Sequence, residues 1–174
     1  MDKILSKSLM EKALRRLDEL LNQKLRLIIG GGGAMILAHN FPIATTDLDA
    51  VPKGMTIEEL DPLIKKIGLE MNWPGDWMNP YFASFAINLP SDFGSRMVTV
   101  FNGKNLIADA LGREDMLIMK CFAHRAKDIG HARALLKAGA DTKFVEKHIE
   151  ALKKKKLPGC DDALEFLDQL LDDE

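Results

Sequence analysis

The feature that most constrains this 174-residue chain is a short apolar run stopped by four glycines, Leu25–Ile29 followed by Gly30–Gly31–Gly32–Gly33. An apolar run of that length ending in a glycine turn reads as a buried strand entering a tight backbone feature. Ala34–Met35–Ile36–Leu37–Ala38 then resumes as a short apolar helix, stopped near Asn40–Phe41–Pro42. A glycine turn from strand into helix lets backbone N–H groups approach an anion, and the helix N-terminus adds partial positive charge. Gly31, Gly32 and Gly33 are therefore candidate phosphate-binding residues. The bland alternative is a close strand–helix contact.

Next comes Asp47–Leu48–Asp49–Ala50–Val51, which alternates polar with apolar and ends at Pro52, a second strand. On a strand the two carboxylates point to one face while Leu48 turns into the core. Neighbouring carboxylates repel, and a shared divalent cation relieves the repulsion. Asp47 and Asp49 are thus candidate metal ligands and catalytic acids rather than merely solvated ones. A phosphate cradle beside an acid pair suits a nucleoside triphosphate with magnesium or manganese, and phosphoryl or nucleotidyl transfer.

The rest of the chain supplies a frame for these two elements. Leu5 to Leu21 repeats apolar residues at spacings of three and four, an amphipathic opening helix. Thr56 with Glu58 and Glu59 caps a helix running to about Gly68. Asp76–Pro80 reads as a connection, followed by strands at Phe82–Leu89, Arg96–Phe101 and Leu106–Leu111. The last two are joined by an Asn102–Gly103 hairpin turn. Four helices follow, at about Arg113–Arg125, Ile129–Ala138, Asp141–Leu152 and Asp161–Leu171, with Gly139 and Pro158–Gly159 as breaks. The expected class is α+β (mixed α/β): a mixed sheet flanked by helices, with an N-terminal helix and a C-terminal helical tail. The chain reads as a single domain, residues 1–174, with a core over 25–111 and a helical part over 112–174.

Composition narrows the setting. The 24 basic residues nearly balance the 26 acidic ones, so a nucleic-acid or membrane partner would need a local patch. Cys121 and Cys160 form neither a C-x-x-C nor a disulfide framework and read as reduced thiols of a cytoplasmic protein. No run has the length of a membrane span or of a signal-peptide core. The four histidines show no metal-ligand spacing. Trp73 and Trp77 read as buried anchors before base-stacking platforms, and Lys153–Lys156 as a solvated helix end before an RNA contact.

The turn and the acid pair together resemble the nucleotidyltransferases of the polymerase-β-like fold. Those carry a hydrophobic–Gly–Gly/Ser turn, about a dozen residues, then Asp–hydrophobic–Asp/Glu. Here these are Gly32–Gly33, residues 34–46 and Asp47–Leu48–Asp49, with Thr45 ahead of the acids as in toxin–antitoxin and abortive-infection members. A bacterial nucleotidyltransferase-like family of unknown function adds further segments. They stand here as Asp76–Trp77–Met78–Asn79, Leu89–Pro90 with Arg96, Asp115–Lys120, and Arg125–Ala126–Lys127–Asp128.

The resemblance implies an NTP substrate, with Lys120 offsetting phosphate charge and Thr45, Arg125, Lys127 and Asp128 at the site's edge. It implies NMP transfer to an RNA (tRNA included), protein or small-molecule hydroxyl, and admits a toxin–antitoxin or phage-defence role with a partner protein. The apolar faces of the first and last helices admit a homodimer. Active members also carry a third carboxylate on a neighbouring strand. Asp109 is the only acid inside an expected strand beyond the first pair, and it fits that position poorly. A degenerate module that binds nucleotide or partner without turnover is therefore the alternative.

Overall fold

The computed structural model describes residues 4–80 and 86–172. The chain divides into two compact units, Met1–Ser84 with Met97–Leu111, and Phe85–Arg96 with Gly112–Glu174. The mixed α+β class expected from the sequence is the one observed.

The first unit is built on a mixed sheet. Its elements are α1 (Lys7–Leu20), β1 (Leu25–Ile29), α2 (Gly31–Leu37), β2 (Leu48–Lys53), α3 (Ile57–Met71), β3 (Met78–Asn79), β4 (Val98–Asn102) and β5 (Leu106–Ala110). The strand order is β3-β2-β1-β5-β4. β1 is central, antiparallel to β2 with Ile29 opposite Ala50, and parallel to β5 with Ile28 opposite Asp109. Four of its five residues are buried, as expected for a strand hydrogen-bonded on both sides and covered by helices.

Local chemistry sets the helix boundaries. The Ser6 hydroxyl accepts the Leu9 N–H at the start of α1. Thr56 and Glu59 form a reciprocal capping box at the start of α3, and Asn72 ends that helix in the left-handed region. α1 buries Met10, Ala13, Leu14 and Leu17, and Arg16 clasps Glu70 of α3 with two hydrogen bonds. Asp18 of α1 accepts the N–H groups of Lys104, Asn105 and Leu106, pinning the β4–β5 hairpin to the first helix.

Four strand expectations need correction. β2 starts at Leu48, after Asp47, and continues through Pro52 to Lys53. The third strand is Met78–Asn79, parallel to β2, within the segment expected to be a connection. Trp77 sinks its ring beside α3, donating its indole N–H to the Ile64 carbonyl, and so draws the next two residues alongside β2. Of the strand expected at Phe82–Leu89, residues 82–85 lie outside the described residues and 86–88 form a 3-10 turn. Arg96 is not in a strand either. It ends the 3-10 helix Phe93–Arg96, opened where the Asp92 carbonyl accepts both the N–H and the hydroxyl of Ser95.

The second unit is helical: α4 (Arg113–Ala123), α5 (Ala126–Lys137), α6 (Thr142–Lys154) and α7 (Cys160–Asp172). α4 is its hub, packing on the other three and burying Asp115 through Cys121 without interruption. It stops two residues earlier than the expected Arg125, because His124 adopts a left-handed conformation. α5 begins three residues earlier than expected, since the Asp128 carboxylate accepts the Arg125 N–H and caps the new helix. Asp141 caps α6 by accepting from Phe144.

Candidate functional site

β1 delivers Gly30 to its C-terminal end, where the Gly30 N–H donates to the Asp49 carbonyl at 2.9 Å. The chain then turns into α2, with Gly31 at φ +55°. The first N–H groups of any α-helix have no partner within the helix, and in α2 these belong to Gly31, Gly32 and Gly33.

The absent side chains matter as much as those N–H groups. A Cβ on Gly31 would lie 2.0 Å from Asp49 Oδ2, one on Gly32 would lie 2.9 Å from Thr45 Cβ, and one on Gly33 would lie 2.3 Å from Leu48 Cδ1. The glycines thus let residues 45–49 lie directly against the first turn of α2. The close strand–helix contact is real, and it brings a carboxylate onto the turn.

Leu48 is fully buried between a half-buried Asp47 and a half-buried Asp49, the alternation expected of β2. The Thr45 hydroxyl lies 3.0 Å from the Asp47 carbonyl and 3.3 Å from its Oδ1, holding the turn that leads into the strand. On the adjoining strand, in register with Asp49, stands Asn79, which donates from Nδ2 to Asp49 Oδ1 at 3.1 Å. The strand beside Asp49 thus faces it with an amide and not with a carboxylate. A two-residue strand is too short for periodicity to reveal, so Asn79 stands out only once the register is seen.

Asp109 does not fill the gap. It is buried on β5 and engaged by Arg26 and by the Thr99 hydroxyl, the latter at 2.6 Å. Among the described residues no group of three or more His, Cys, Asp or Glu could hold a metal ion. Two carboxylates still suffice in one known way, since magnesium is commonly held by one or two carboxylates together with substrate phosphates and water. The hard oxygen donors of Asp47 and Asp49, beside the first turn of α2, fit that arrangement. A cavity of about 610 Å³ opens between β2, β3 and α3, lined by Asp47, Asn79 and Asp76 among others.

The remaining expected site residues belong to the helical unit. Lys120, 5% exposed, donates to Asp128 at 2.8 Å, and Arg125 donates from Nε to the other oxygen at 2.7 Å. Burial alone would raise the Asp128 pKa; the hydrogen bonds from Arg125 and Lys120 outweigh it and hold the carboxyl down at about 2. Lys127 is exposed. His131 has its pKa lowered by burial and then by the Lys120 charge. Arg96 grips the fully buried Asp115 with two hydrogen bonds of 2.9 and 2.8 Å and lies over the Phe144 ring. Burial still leaves the Asp115 pKa raised.

Compared with known families, residues 8–156 match the model of a family described as nucleotidyltransferase of unknown function (DUF6036). The chain belongs to that family. No curated protein and no solved structure matches it. The match spans both units of this nucleotidyltransferase-family protein, from the glycine turn to the α4–α5 ion cluster. Among its described residues no helix is long and apolar enough to cross a membrane.

Proposed function

We propose that this protein binds a nucleoside triphosphate with magnesium or manganese at the α2–β2 junction and transfers the nucleoside monophosphate to an acceptor hydroxyl. The observation that carries this is the Asp49 carboxylate seated in the space a Gly31 side chain would need. Main-chain donors for a polyphosphate and acids for its cation thereby share one place.

In this reading Asp47 and Asp49 hold the cation, and the N–H groups of Gly31, Gly32 and Gly33 receive phosphate oxygens. Asn79 and Thr45 keep the acids oriented through the hydrogen bonds at 3.1 and 3.3 Å. The bound cation supplies charge neutralisation of the phosphates and polarisation of the reacting centre. The acceptor oxygen forms a bond to the α-phosphorus, the α–β phosphoanhydride bond breaks, pyrophosphate departs with the electron pair, and the hydroxyl proton passes to water.

The test incubates the protein with α-labelled NTPs, magnesium and total tRNA or cell extract. Label should appear on an acceptor and vanish in Asp49→Ala. One observation favours a second reading, a nucleotide-binding regulatory module without turnover: the strand residue in register with Asp49 is the amide Asn79 and not a carboxylate. Magnesium-dependent NTP binding with no labelled acceptor would select it. The likeness to toxin-type members extends the proposal to a toxin–antitoxin or phage-defence setting. There, induced expression should arrest growth, and Asp49→Ala should relieve the arrest.

A further inference from the structure

The cavity beside Asp47 has a chemistry that discriminates among acceptors. Its floor is apolar, formed by the buried Leu60 and Ile64 of α3 and Met78 of β3, with the exposed Ile57 at its rim. Its charged lining is three aspartates against one lysine. That lysine is already matched, since Lys65 Nζ lies 2.6 Å from Asp61 within α3. Asp47 and the exposed Asp76 are left to set the sign of the field. A volume of about 610 Å³ is that of a small-molecule pocket.

A nucleic-acid strand needs cations along its path, each neutralising a phosphate. This cavity offers the opposite charge. We infer that it is the acceptor subsite, and that the acceptor is a small amphipathic compound whose protonated amine is drawn to Asp76 while its apolar body lies on the α3 floor. The inference rests on the transfer reading above and narrows it, taking RNA out of the acceptor role. With Asp47 given to the cation, Asp76 is the amine's partner, so Asp76 discriminates between acceptors and takes no part in the transfer itself.

Three indole compounds of nearly one shape make the test: tryptamine, the neutral tryptophol and the anionic indole-3-propionate. Each is titrated calorimetrically into the full chain at low ionic strength, without nucleotide or magnesium. Tryptamine should bind about two- to five-fold more tightly than tryptophol, the usual effect of one ion pair at an exposed carboxylate, and indole-3-propionate should bind most weakly. Asp76→Asn should remove most of the tryptamine advantage and leave tryptophol unchanged. Ile57→Lys, a change at a partly exposed rim position, should abolish tryptamine binding while thermal unfolding reports an intact fold.

Equal affinities for the three compounds, no binding of any of them, or displacement of tryptamine by tRNA would each overturn the inference. Magnesium–ATP binding, with and without Asp49→Ala, is measured on the same preparations to separate the two readings. ATP binding with no amine preference defeats the cavity assignment alone. Amine preference with no ATP binding leaves the cavity's selectivity standing but defeats its role as an acceptor subsite.

Discussion

Replacing Gly31 by alanine tests the contact on which the proposed nucleotide site depends. The added Cβ would sit 2.0 Å from Asp49 Oδ2 and 2.9 Å from its Cγ, on a residue held at φ +55°. The left-handed backbone costs an L-residue roughly 1–2 kcal/mol. Ordinary contact begins at 3.4 Å, so the carboxylate must retreat by more than an ångström, which breaks its 3.1 Å bond from Asn79. Losing a hydrogen bond to a charged group costs about 1.5–3 kcal/mol, discounted here because Asp49 is half-buried and water can replace the donor. The sum is about 2–4 kcal/mol, large against a usual total of 5–15 kcal/mol but not enough to unfold the domain. Gly130 in α5 is the control: a Cβ there meets nothing within 4 Å, so Gly130→Ala should stabilise by about 0.5–1 kcal/mol through helix propensity. Urea unfolding of the two variants measures the difference, and magnesium–ATP titration should show at least a ten-fold loss for Gly31→Ala alone. If Gly31→Ala is as stable as the parent and binds magnesium–ATP equally well, the contact is not what organises the site.

Asp18→Ala strips acceptors from three N–H groups of the β4–β5 hairpin and should cost about 2–3 kcal/mol in urea unfolding, with the added proteolysis falling near Lys104. Asp128, held at about 2 against an ordinary 3.8, contributes stability that is complete above about pH 4 and is lost as the pH falls through 2. Asp115, raised by burial, works in the opposite direction. The acid limb measured by circular dichroism should therefore be shallower in Asp128→Asn. Lys120→Met removes one of two cations on a fully buried carboxylate and should cost about 3 kcal/mol, the low end for breaking a buried pair because Arg125 remains; reduced magnesium–ATP affinity at unchanged stability would instead assign Lys120 to the nucleotide. Asn79→Asp places a third carboxylate beside Asp49, so its Tm should fall in EDTA and recover with magnesium by more than that of the parent protein.

What could be read from the sequence divides along physical lines. The glycine turn and Asp47–Leu48–Asp49 were visible because each is improbable in its place: four glycines after an apolar run, and acids inside a strand, where they are depleted. Helices α3 and α6 announced themselves through Thr56 and Asp141, since capping is local. β3 could not be seen, because two residues carry no period and its pairing depends on Trp77 docking against α3 from 13 positions away. Burial of the charged pairs was equally hidden. Arg96 finds Asp115 across 19 positions and Lys120 finds Asp128 across a helix break, so neither partner can be chosen before the helices pack.

The charged residues that carried the family resemblance are consequently of two kinds. Asp115, Lys120 and Asp128 are buried in the helical unit with their charges matched, and a buried charge stays ionised only where partners compensate its lost solvation. They do the work of holding α4 and α5 and the loop ending at Arg96. Asp47 and Asp49 are half-buried in the other unit, two residues apart along one chain, and the Asn79 amide donates to Asp49, orienting it without a charge of its own. Under the proposed reading, acids beside helical N–H groups favour a cation-bearing anion over either ion alone, because a bare anion is repelled by the acids and a bare cation is disfavoured by the helix N-terminus. A metal-complexed polyphosphate satisfies both at once. Phosphate alone should accordingly bind weakly, magnesium alone weakly, and magnesium–ATP far more tightly than the product of the two would give. Additive, uncoupled binding of the separate ions would remove the reason for placing a nucleotide at this junction.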